Sequence, residues 1–99
     1  MNAAQFQEHA RKEGAPPPGC GAALEALWLD GRGEWEAAHA KAQEDGGRDG
    51  AWVHAYLHRK EGDESNARYW YARAGRQPEK GDLGGEWLAI SEALLRKGP

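Results

Sequence analysis

Ninety-nine residues, of which 39% are apolar, bury one modest core rather than two, and five Trp, three Tyr and one Phe must supply much of it. The formal charge of -3 divides unevenly, nine acidic against five basic residues in 1–50 and seven against eight in 51–99, so no basic stripe exists to neutralise phosphates and nucleic acid is excluded as a partner. No apolar run nears the roughly 20 residues that span a bilayer. The N-terminal MNAAQFQEHARKEG lacks a secretory pattern, and the single Cys20 allows no internal disulfide, so a cytoplasmic protein without membrane contact is expected.

Gly and Pro clusters divide the chain into helix-sized pieces rich in Ala, Leu, Glu, Lys and Arg. The first helix is expected at about 2–13, with Phe6 as its only large anchor, and the GAPPPG run (14–19) follows as an extended connection. Residues 1–19 are therefore expected to form a loosely attached N-terminal unit, and 20–99 the helical domain proper. Further helices are predicted at about 21–30, 34–45, 50–61 and 64–75, separated by DGRG, DGGRDG and EGD, and a last one at about 85–97 after GRQPEKGDLGG. Val53 and Ile90 are the only Val or Ile residues and Thr is absent, so strands are not expected. Ala67, Tyr71 and Ala74 form one helical stripe, and Trp87, Ile90 and Leu94 form another that suits a C-terminal cap on the second hairpin.

The chain repeats itself. GEWEAAHAKAQED (33–45) aligns with GDESNARYWYARA (62–74) at an offset of 29, matching Gly33 with Gly62, Glu34 with Asp63, and Ala38 with Ala67. An apolar helical segment precedes each copy, giving two units of helix, turn and helix. The second copy resembles the tetratricopeptide repeat through Gly62, Asp63, Ala67, Tyr71, Ala74 and nearby Pro78. It is similar also to the Sel-like repeat through Ala67, Trp70, Tyr71, Arg73 and Ala74. The offset of 29 is shorter than the tetratricopeptide period, and Ala42 and Asp45 stand where the first copy would need an aromatic and an Ala. The resemblance implies an all-α fold of two stacked antiparallel hairpins, and it implies no ligand. The segment AWVHAYLHRKEGDESNARYWYARAG is similar as well to one in small bacterial proteins without an assigned activity.

No catalytic motif and no cofactor signature is present. His54 and His58 lie at i and i+4, a spacing that lets two imidazoles meet one metal ion, but no HExxH pattern surrounds them, so the pair binds metal only if His39 or an acidic residue converges on it. Cys20 precedes a helix start, where a thiol can be activated, yet it lacks an evident base and reads as a plain packed residue. The glycine turns lack the strand and the Lys-Ser/Thr of a phosphate loop, and Asp30, Glu34 and Glu36 lack calcium-loop spacing.

Aromatic crowding on two adjacent helices remains. Their packed faces cannot accommodate every ring, so Trp52, Tyr56, Tyr69 and Trp70, flanked by Arg59, Arg68 and Arg73, are expected to offer a surface to a protein or peptide partner or to a second copy of the chain. The alternative reading is a small metal-binding protein or enzyme using His54 and His58. Three ligating atoms around one point would favour the alternative, and an open aromatic strip with dispersed histidines would favour the interaction module.

Overall fold

Two glycines reverse the chain. In the computed structural model, which describes residues 1–97, Gly33 and Gly62 have φ of +85° and +89°. At these turns the Glu34 N–H donates to the Leu29 carbonyl at 3.0 Å and the Asp63 N–H to that of His58 at 2.9 Å. This wide closure of a helix C-terminus needs a left-handed residue, and glycine adopts it without a Cβ clash. Asp63 then accepts the Asn66 N–H at 3.2 Å and caps the next helix.

The fold is all-α. The helices are α1 (Ala3–Lys12), α2 (Ala22–Gly31), α3 (Trp35–Gln43), α4 (Arg48–Glu61), α5 (Glu64–Ala74) and α6 (Leu83–Lys97), with no strand among the described residues. Helices α2 and α3 form one hairpin, α4 and α5 the other, and contact between α3 and α4 joins them.

Helix α4 occupies the centre, against α2, α3, α5 and α6, and every residue from Gly50 to His58 is buried. A helix surrounded in this way has no solvent stripe for periodicity to reveal. Two consequences correct the expected aromatic surface. Trp52 is buried beneath the Arg76 guanidinium, 3.2 Å from its ring centroid, and Tyr56 is buried with its hydroxyl donating to Asp30 at 3.0 Å.

Helix α6 buries Trp87, Ile90 and Leu94 and packs on α4, but it reaches α1 and α2 as well, so it closes one side of both hairpins. The Trp87 indole N–H donates to the Leu27 carbonyl at 3.0 Å, satisfying the one polar group that its burial would otherwise strand. Helix α1 is held more firmly than its single large anchor suggests. Phe6 is fully buried and stacks on Trp87 at 5.9 Å, the Ala3 N–H donates to Glu92 at 3.0 Å, and Arg32 donates to the carbonyls of Ala10 and Glu13 at the helix end. No helix of the described residues is long and apolar enough to cross a membrane.

Candidate metal centre

The stacking of the hairpins brings three histidines together. His39 comes from α3, and His54 and His58 from successive turns of α4. One ring nitrogen of each lies within 4.8 Å of the others, and the Nε2 atoms of His39 and His54 are 2.8 Å apart. His54 and His58 stack at 4.8 Å, while the His39 ring stands nearly perpendicular to His54 at 4.5 Å.

Two indoles wall the cluster. Trp35 stacks on His39 at 5.1 Å and fixes itself by donating its N–H to the Leu57 carbonyl at 2.9 Å. Trp70 stacks on His54 at 3.9 Å from the opposite side, on α5. Trp35 and His39 are themselves i and i+4 on α3, a pairing visible in the sequence that gains meaning only when α3 meets α4.

Burial decides the protonation of His39 and His54. It is the largest cause holding His54 down at about pH 4, with repulsion from His39 and His58 adding to it. Burial is the first cause for His39 as well, followed by His58, and together they outweigh the opposing pull of Glu61 and Glu36. These two rings are therefore neutral at pH 7, the form in which an imidazole nitrogen donates a lone pair to a metal. His58 also has a carboxylate partner, its Nδ1 lying 2.6 Å from Glu61. A carboxylate on the second ring nitrogen orients a ligating histidine and raises its basicity.

The group holds nitrogen donors and no thiolate, which suits first-row ions such as zinc, copper or nickel rather than calcium or magnesium. At zinc–nitrogen lengths of about 2.0–2.1 Å, tetrahedral placement asks the two Nε2 atoms to separate to roughly 3.3 Å, a shift of about half an ångström. A second grouping, His58 with Glu61 and Asp63, shares His58, but Asp63 is already engaged as the α5 cap.

The remaining predicted positions disperse. Arg59 pairs with Glu86 at 2.8 Å and with the Gly81 carbonyl. Tyr69 is exposed, Trp70 is half-buried, and Arg68 and Arg73 are exposed, so α5 alone presents an outward aromatic and cationic edge. Arg73 donates to the Tyr69 hydroxyl at 3.1 Å and lies over the Trp70 ring at 5.1 Å. Cys20 is half-buried, and burial first and Glu25 second push its thiol up, opposite to the activation that a helix start can give. The chain matches no known protein family, no curated protein and no solved structure.

Proposed function

We propose that this protein is a small helical metal-binding module whose centre is His39, His54 and His58. The observation that carries the reading is the convergence of three ring nitrogens from two helices within 4.8 Å. Two of these rings are neutral at pH 7, and the third has the carboxylate partner that ligating histidines commonly possess. In the metal-free protein one Nε2 of the His39–His54 pair donates to the other. Ligation through both Nε2 atoms requires the donor ring to move its proton to Nδ1, with no net change of charge.

Calorimetric titration of the purified chain with zinc, nickel and copper(II) tests the proposal. One equivalent should bind, and His54→Gln should weaken binding by roughly a hundredfold or more, since loss of an outer-shell partner alone commonly costs about 10- to 100-fold. Copper(II) should also quench the fluorescence of the flanking Trp35 and Trp70 in the wild type and not in the variant. Equal binding by the two proteins would refute the reading.

A second reading, an interaction module for an acidic protein or peptide, draws support from the exposure of Tyr69 beside Trp70, Arg68 and Arg73. It has lost Trp52, Tyr56 and Arg59, which the packed core and the Glu86 pair occupy. Capture of an acidic peptide by the wild type and not by a Tyr69→Ala, Arg73→Ala variant would favour it.

A further inference from the structure

A cavity of about 410 Å³ adjoins the histidine cluster, bounded by the end of α3, the α3–α4 loop, the first turns of α4 and the C-terminal half of α5. Its walls include His54 and Trp70, so the cluster and the cavity share a ring and the indole stacked on it. Small side chains keep the space open, because Ala42 follows His39 by three residues and Ala51 precedes His54 by three, so that each helix presents a methyl one turn beyond its ligand.

One wall of this cavity carries two arginines. Arg73 is braced over Trp70 and against the Tyr69 hydroxyl, which fixes its guanidinium while leaving further N–H donors unused. Arg48 also lines the cavity, and its guanidinium lies against Gly75, the residue that ends α5. The acid of this wall, Asp45, accepts the Gly47 N–H at 2.8 Å and is thereby tied into the loop. In a chain of net charge -3, two arginines lining one open-mouthed cavity are a local reversal of sign.

Three histidines leave a first-row ion, which is usually four-coordinate or more, with at least one position for a ligand that the trio does not supply. We infer that a metal ion held by His39, His54 and His58 takes, from this cavity, one oxyanion of a small dianionic molecule whose second acidic group is bound by Arg48 and Arg73. This rests on the metal-binding reading above. The step is a ligand exchange, in which an oxyanion oxygen forms a bond to the metal and a metal-bound water leaves, with no change of oxidation state. Guanidinium groups suit the distal end because they bind carboxylate or phosphate through paired, charge-assisted N–H donors. The volume falls within the range of small-molecule sites, about 300–1,000 Å³, and exceeds what a monatomic anion requires.

Cobalt(II) reports on both halves of the inference, because its visible absorption bands respond to coordination number and to ligand identity. The chain is loaded with cobalt, loading is verified by calorimetry, and succinate is added as the probe, with uncharged succinamide as the control. Succinate should shift the bands saturably in the millimolar range and succinamide should leave them unchanged. In an Arg48→Gln, Arg73→Gln variant that binds cobalt as the wild type does, the half-saturating succinate concentration should rise at least about tenfold, as loss of charge-assisted hydrogen bonds predicts. If that variant binds no cobalt, each single Arg→Gln variant serves in its place, with a smaller rise in the same direction. Cobalt binding that succinate does not perturb would overturn this inference and leave the metal reading standing. An unchanged half-saturation in the arginine variants would do the same. Failure of the wild type to bind cobalt, zinc or nickel would overturn both.

Discussion

His39 and His54, fifteen residues apart in the chain, face each other through their Nε2 atoms at 2.8 Å across the junction of the two hairpins. That contact requires one ring to donate and the other to accept, so at least one of the two must be neutral. Protonating both would place two cations in contact within a partly dry space.

Acid should therefore weaken the fold before the carboxylates titrate. The folded protein holds His54 at about 4 against an ordinary value of 6.5, and His39 moves in the same direction. A depressed folded value means that the unfolded chain takes the proton first, so the stability from neutral His54 is fully present above 6.5 and is lost as pH falls toward 4. Between about pH 7 and about pH 5 the loss should be on the order of 1–2 kcal/mol, read as a lower urea midpoint. His54→Gln should flatten the slope in that interval. A wild-type midpoint that does not move over those two pH units would contradict the cause assigned here.

Glu61 should tune metal affinity without ligating the ion through the trio. Its Oε2 lies 2.6 Å from His58 Nδ1, and its side chain is 38% exposed, so Glu61→Gln keeps the fold and removes the negative charge. Zinc affinity should fall by about tenfold, the low end of what such outer partners contribute, while the thermal midpoint changes little. If zinc binds equally well to Glu61→Gln, the carboxylate has no part in the centre.

The boundaries of the helices and the positions of Gly33, Gly62 and Gly75 were legible because turn chemistry and alanine-rich segments act locally, within a few residues. The candidate centre was half legible. His54 and His58 share a face by spacing alone, whereas His39 joins them only because α3 packs on α4, a contact that no local pattern encodes. The burial of Trp52 and Tyr56 has a related cause. The assumption that each helix buries one stripe fails for α4, which four helices surround, so Trp52 and Tyr56 enter the core along with Ala51 and Ala55. Phe6 and Arg32 show the same limit at the N-terminus, where one fully buried ring and one side chain bridging to another helix dock a segment that looks weakly anchored.

Gly50 belongs in the sequence to the DGGRDG break, yet in the structure it lies in the first turn of α4, and glycine within a helix costs roughly 1 kcal/mol relative to alanine. The structure supplies its reason. A Cβ at Gly50 would lie 2.2 Å from the Asp45 carbonyl oxygen and 2.6 Å from the Asp45 Cβ, where the α3–α4 loop crosses the start of α4. Gly50→Ala should thus lower stability by about 1–3 kcal/mol despite its better helix propensity, as overpacking commonly does. A stabilised Gly50→Ala protein would show that the loop moves aside freely.

The last prediction concerns Lys60, which looks like an ordinary surface lysine, with 38% of its side chain exposed. Its ammonium lies 2.9 Å from Asp30, whose side chain is only 2% exposed and whose other oxygen accepts the Tyr56 hydroxyl at 3.0 Å. The two ends of this pair are not equivalent. Removing Asp30 frees the lysine to extend into water and leaves chiefly the Tyr56 hydroxyl without its acceptor, a loss of about 1–3 kcal/mol. Removing Lys60 leaves a buried carboxylate with a single neutral donor, and stranding a buried charge costs about 3–5 kcal/mol. Access of water to the lysine side of the pair reduces that figure, so Lys60→Ala should cost about 2–4 kcal/mol, as much as or more than Asp30→Ala. In an Asp30→Asn background the same lysine substitution should become nearly neutral, because no buried charge remains to be stranded. Urea denaturation of the wild type, Lys60→Ala, Asp30→Ala, Asp30→Asn and the Asp30→Asn, Lys60→Ala double variant measures both effects. A Lys60→Ala change within about 0.5 kcal/mol of wild type, the usual range for surface positions, would mean that the Asp30 charge is stabilised without its lysine.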